Sequence, residues 1–245
     1  YEILRCLVGS EMCIRDRAVH QQSPKERDDP VKLDTLTIDI GASSKAEAEK
    51  YVSLGDCAYF TSDYTELGNG YLREKALDDR IGCAIMVDIL NKNLPYDVTC
   101  VFTVQEEIGT RGAKVAAYTV KPDYAIVLET TTACDFAGND GEKRVCELGK
   151  GCVVSYMDRS TIYDRELYRL GFEKAKEINV PCQTKTLVAG GNDSGAIHSS
   201  VGGIRTVALS VPCRYLHSPS CMIKKSDVQS TAELAYAMYL ALAEK

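Results

Sequence analysis

The sequence contains no tryptophan and only four phenylalanines among 245 residues. A cleft that stacks sugar rings would lack the broad tryptophan platform and would have to draw on the 14 tyrosines. No block of lysine and arginine stands out. The balance of 29 Lys+Arg against 35 Asp+Glu leaves a formal charge of −6, which argues against a nucleic-acid partner. No apolar run approaches the length of a membrane span, the nearest being YAMYLALA at 236–243. Cysteine is plentiful, with 11 residues, yet no CxxC pair occurs, so a zinc ribbon is excluded. Several cysteines, such as Cys83, Cys100 and Cys152, fall within apolar patterns. They read as reduced core thiols of a cytoplasmic protein. No signal peptide is visible, because ILRCLVG is short and broken by Arg5. Internal repeats and low-complexity linkers are absent as well.

The stretch CLVGSEMCIRDR (6–17) has no convincing period and resembles translated sequencing-adapter sequence. Residues 1–17 are therefore set aside as non-native. On that reading the chain is expected to be a fragment whose natural N-terminal part is missing. Residues 18–75 read as part of a small β-rich domain and residues 76–245 as a larger α/β domain. In the first, LTIDIG (36–41) alternates like a half-buried strand. Ser44 and Glu47 form a capping box for a helix over KAEAEKY. CAYFTS (57–62) reads as a strand, and GNG (68–70) as a tight turn into YLREKA.

In the second domain a helix is expected after Asp78, with Ile81, Ala84, Ile85, Ile89 and Leu90 at helical spacing. VTCVFTV (98–104), YAIVLE (124–129), GCVVSYM (151–157) and RTVALSV (205–211) read as strands buried on both faces. A helix is expected over about 161–179, and a last one from Ser226, its N-cap, to the end. The fold class is α/β, a sheet covered by helices on both faces.

Chemistry gathers where these strands end. VTCVFTV runs into Gln105, Glu106 and Glu107; YAIVLE ends in Glu129; RTVALSV leads to His217. Open α/β sheets bind ligands beyond the carboxyl ends of their strands. Asp78 and Asp79 add two more acids where a helix begins. Five carboxylates and an imidazole on one rim repel strongly unless one or two divalent cations lie among them. Carboxylates with histidine suit zinc, manganese or cobalt. Neighbouring side chains on an extended segment point opposite ways, so Glu106 and Glu107 are free to play different roles.

Four stretches in order, KALDDRIGC, FTVQEEIGTRGA, GGNDSGAIH and RYLHSP, resemble the glutamyl and deblocking aminopeptidases, the family that includes the tetrahedral aminopeptidases. The resemblance runs from about residue 18 to the end. It implies a zinc-peptidase-like fold: a mixed sheet flanked by helices, with a remnant of the small β-rich dimerisation domain. It also implies a metal-dependent aminopeptidase that removes N-terminal residues from short peptides with two divalent ions per subunit, zinc first, with cobalt or manganese as alternatives. By motif, Asp78 would bridge the ions and Asp79 would hold that peptide in an unusual, cis conformation. Glu106 would be the general base, Glu107 and His217 would complete the second metal site, and Glu129 would belong to the first. The family's other first-site ligand, an upstream histidine, has no match here, His20 being misplaced. The first site is thus left with Asp78 and Glu129, so activity of the fragment is in doubt. Assembly into dimers and hollow dodecamers is implied too.

Each residue also has a plainer reading. Asp78 and Asp79 would suit a helix cap. Glu106–Glu107 would suit a solvated turn, Glu129 an arginine pair and His217 a surface loop. His198 reads as structural and Tyr215 as packing. Asn192 and Asp193 either shape a pocket or cap the helix that follows. Two other functions remain: a glycoside hydrolase, because some family members carry an endoglucanase label, and a non-catalytic assembly or binding protein.

Overall fold

The computed structural model of the protein describes residues 14–15, 37–59 and 62–245. By its contacts the chain divides into two units, residues 1–62 and 63–245. In the first unit β1 (Ile14–Arg15) pairs antiparallel with β2 (Thr37–Ile38). One helical turn follows, α1 (Lys45–Ala48). Ser44 Oγ accepts the Glu47 N–H at 3.2 Å, and Glu47 Oε2 accepts the Ser43 N–H at 2.9 Å. The capping box forms with its return bond moved one residue outward. The helix stops short of the expected residue 51, and it buries no side chain that would extend it. The strand expected over 57–62 shows no ladder at 57–59. Residues 60–61 and 18–36, including His20, lie outside the described residues.

The second unit contains, in chain order, β3 (Thr65–Leu67), β4 (Tyr71–Glu74), α2 (Leu77–Leu90), α3 (Arg111–Val120), β5 (Tyr124–Thr132) and β6 (Cys152–Val154). It continues with α4 (Arg165–Glu177), β7 (Cys182–Thr184), α5 (Ser194–His198), β8 (Arg205–Cys213), β9 (Cys221–Lys224) and α6 (Lys225–Ala243). The turn between β3 and β4 is GNG, in which Asn69 and Gly70 take positive φ of 62° and 76°. Strand β4 pairs on its other edge with β9, Leu72 opposite Ile223. Residues 63–75, grouped with the small domain on sequence, therefore join the second unit. Their partner strand lies near the far end of the chain, where no local pattern reveals it.

The main sheet has the order β5-β8-β6-β7 and is mixed. Strands β5 and β8 run parallel over their whole length, Tyr124 opposite Arg205 and Thr132 opposite Cys213. Strand β6 is antiparallel to β8 and parallel to β7. Val207, Leu209, Val211 and Cys213 of β8 pack on one face against α2, α4 and α6, with Ile85, Leu167, Leu234 and Met238 all buried. Ala208 faces the other way, with Val127, Tyr163 and Ile197 of α5. Burial on both faces explains why β8 is mostly apolar, interrupted only by the buried Thr206 and Ser210.

The run VTCVFTV is a correction. Residues 97–103 form no strand, and Val98, Phe102 and Val104 are exposed. An apolar run becomes a strand only where a neighbouring strand takes its backbone hydrogen bonds, and among the described residues no ladder forms here, the Val104 carbonyl accepting only the Gly112 N–H of the following helix at 3.0 Å. Three smaller corrections concern helices and thiols. Ala84, Leu90 and Cys83 are exposed rather than in the core. Helix α4 begins at Arg165, because Asp164 accepts the N–H groups of Glu166 and Leu167 at 2.9 and 3.0 Å. Helix α6 begins one residue before Ser226, with Lys224 at the cap position and no side-chain cap. No described helix is long and apolar enough to cross a membrane.

Candidate metal centre

The site is built where α2 starts. Ala76 is left-handed (φ 53°), the Asp78–Asp79 peptide is cis, and neither aspartate has helical angles. Regular helix begins beyond Asp79, whose Oδ1 accepts the Gly82 N–H at 3.0 Å. The capping role weighed for the pair thus falls to Asp79. Glycine at 82 leaves room for this carboxylate, since a Cβ there would stand 2.2 Å from Asp79 Oδ2 and displace it. Asp78 is left with its carboxylate turned toward two loops.

The first loop follows residues 97–104. Thr103 Oγ1 donates to Asp193 Oδ2 at 2.5 Å, Gln105 is left-handed, and the Glu106 carbonyl accepts the N–H groups of Gly109 and Thr110 at 3.0 and 2.9 Å. The second follows β8 and carries His217, itself left-handed at φ 61°. His217 Nε2 lies 3.2 Å from Asp78 Oδ2 and 3.5 Å from Glu107 Oε2. The donor atoms of Asp78, Glu107 and His217 all lie within 4.8 Å of one another. Three candidate ligands from three distant segments converge on a volume the size of one cation.

Glu129, on β5, and Glu106 are outside that close trio but line the same cavity of about 1500 Å³, as do Asp79 and Asp193. Electrostatics tie these acids together. Burial, then the charges of Asp79, Asp78, Glu106 and Asp193, push Glu129 up to about 10. Burial, opposed by the Gly82 N–H and aided by Asp78, Glu106 and Asp193, pushes Asp79 to about 8. Glu106 rises to about 7, from burial first and then from Asp193, Glu107 and Asp78. Glu107 is raised too, by burial and by Asp78, while the His217 imidazole works the other way. Acids held so close and so dry stay ionised together only with positive charge among them.

On sequence Asp193, like Asn192, was left between shaping a pocket and capping the helix that follows. It is buried, makes no side-chain cap to α5, and its Oδ1 has no protein partner. The capping choice left open between neighbours goes to Asn192, whose Oδ1 accepts the Ser194 N–H at 2.9 Å. The only signal for Asp193 was its place in a glycine-rich turn. His198 is held within α5, its Nδ1 2.8 Å from the Ser194 carbonyl, and lies apart from the metal trio. Tyr215 stacks on Phe136, with centroids 6.2 Å apart.

A family model, M42 glutamyl aminopeptidase, matches residues 10–234 of the chain. A protein of Acetivibrio thermocellus described as a candidate aminopeptidase is 40% identical over 219 residues, covering 89% of this chain and 66% of that one. The crystal structure of a TET aminopeptidase from a marine-sediment thaumarchaeon superposes with a TM-score of 0.87 at 32% identity, covering 92% of this chain and 65% of that one. A Pyrococcus horikoshii TET1 peptidase, described as able to assemble into a tetrahedron or a large octahedral shell, superposes with a TM-score of 0.72 at 33% identity, over 85% of this chain and 60% of that one. The chain spans 60–66% of the length of these three proteins.

Proposed function

The chain belongs to the M42 glutamyl aminopeptidase family, and from that premise we propose that its acidic cluster is the metal centre of an aminopeptidase that removes N-terminal residues from short peptides. The observation that carries this reading is the trio Asp78, Glu107 and His217, whose donor atoms lie within 4.8 Å of one another. The donor set fits a borderline divalent ion such as zinc, with cobalt or manganese as alternatives. The raised acids around it, Asp79 and Glu129 above all, supply the negative field that such an ion would balance.

Asp78, Glu107 and His217 would hold one such ion, and Glu129, which lines the same cavity, would contribute to a second. Divalent ions supply Lewis acidity at the scissile carbonyl and at the attacking water. Glu106, beside the trio, would take a proton from that water and return it to the leaving amine. Asp79 holds the Asp78 backbone through its bond to Gly82. Val101, Phe102 and Ile126 give one side of the cavity an apolar wall. Assembly into dimers and larger shells, and a cytoplasmic site of action, belong to the same reading.

The test uses a version extended to the length of its relatives. Hydrolysis of peptides with a free N-terminus, but not of acetylated ones, should disappear with chelator and return with zinc or cobalt. Glu106→Gln should lower the rate by about 100-fold or more while metal binding persists. Chelator-resistant hydrolysis, or a Glu106→Gln rate near wild type, would sink the assignment.

A further inference from the structure

We propose that Asp135 and Arg214 are a positioning pair that holds His217 in the metal centre. The inference rests on reading Asp78, Glu107 and His217 as that centre. After β8 the chain makes an irregular turn in which Tyr215 and His217 both have positive φ, 58° and 61°. Neither is glycine, so each left-handed angle has a cost that surrounding contacts must offset. His217 is itself poorly packed, its side chain being 64% exposed. What fixes its direction must therefore act on the backbone beside it.

Arg214 is placed to do so. Its Nε donates to Asp135 Oδ1 at 2.5 Å and its Nη2 to Asp135 Oδ2 at 2.9 Å. The carboxylate also accepts the Leu148 N–H at 2.9 Å, and its side chain is only 4% exposed. A two-point fork of this kind fixes orientation as well as distance. Asp135 comes just past the last β5–β8 pair, Thr132 with Cys213, and the Ala133 N–H adds a bond to the Cys213 carbonyl at 2.8 Å. The fork thus extends the register of the strand that brings Glu129 into the turn that brings His217. The Arg214 backbone exchanges bonds with Met222 at 2.9 and 3.0 Å, so both ends of the turn are closed. Phe136, next to Asp135, stacks on Tyr215 inside it.

The same fork has an electrostatic consequence. A guanidinium three residues from His217 could compete with a cation for the acids. Here Asp135 engages it at two points, and Asp135 is in turn held below its ordinary range by that arginine and the Leu148 N–H. A buried ion pair adds little net stability compared with an apolar pair of similar shape, which makes geometry its better-supported use here.

Binding of zinc to the chain, measured by titration calorimetry, tests this. Arg214→Met and Asp135→Asn should each weaken zinc binding about 10- to 100-fold, the usual effect of losing a group that orients a ligand. Arg214→Lys keeps the charge without the fork and should fall between them and wild type. The control is Arg205→Met. Arg205 forks Asp164 at 2.6 and 3.0 Å at the opposite end of the same strand. It should lower the melting temperature while zinc affinity stays unchanged. If Arg214→Met misfolds, Asp135→Asn and Arg214→Lys carry the test. Affinities of these two within twofold of wild type, or an equal loss in Arg205→Met, would overturn the positioning role. Wild-type affinity in His217→Ala would instead remove the metal reading itself, and this inference with it.

Discussion

Without metal, the chain should become less stable as the pH rises from about 5 to about 7. The direction follows from Asp79 and Glu129, raised from 3.8 to about 8 and from 4.5 to about 10. Between those limits the native chain keeps protons that the unfolded chain has released. Stability from these groups is complete below their unfolded values and is lost as pH climbs toward the folded ones. Each group costs about 1.4 kcal/mol per pH unit in that window. Over about two units the pair amounts to something on the order of 5 kcal/mol, a large part of the roughly 5–15 kcal/mol that holds a domain together. Asp135 and Asp164, lowered by their arginine forks, have the opposite sign, but their contribution is lost only as pH falls below the ordinary carboxylate range.

Urea unfolding followed by far-ultraviolet circular dichroism suits a chain without tryptophan. Measured in chelator at several pH values, the unfolding free energy should fall as pH rises. Added zinc should stabilise the chain more at pH about 7 than at about 5, because the ion replaces protons. Glu129→Gln removes one of these ionisations, so it should reduce the slope and leave the metal-free chain more stable near neutrality. A flat or rising stability in chelator between these pH values would refute the claim that the acids are mutually uncompensated.

Two further outcomes are open to measurement. Gly82→Ala should displace the Asp79 carboxylate, since the new Cβ would lie 2.2 Å from Oδ2; we expect about 1–3 kcal/mol of lost stability together with weaker zinc binding, by calorimetry. Leu234→Ala, at a fully buried position on α6, should cost about 2–5 kcal/mol by urea unfolding, because it empties part of the main core.

Much of the architecture was legible along the chain. The apolar runs of β5 and β8 are strands, YLREKA continues from a GNG turn, and the last 20 or so residues form a helix, because periodicity and turn chemistry are local properties. VTCVFTV shows where such reasoning stops: a buried-strand pattern names no partner, and the ladder depends on which backbone lies alongside. The start of α6 was displaced for a related reason. Asp227 turns inward to accept the N–H groups of Gly149 and Gly151 at 2.6 and 2.9 Å, a long-range demand that overrode the cap expected at Ser226.

The amino-acid order by itself determined which chemistry was available: acids and an imidazole at the ends of apolar runs, with no basic block to neutralise them. Tertiary structure decided which of them meet. It placed Asp78, Glu107 and His217 within one ion's reach and left Glu129 and Glu106 beside them. It also brought in Asp193 through Thr103 and set Arg214 against Asp135. Side-chain type and spacing are written in the chain, whereas proximity between residues scores of positions apart exists only once the core has closed around them.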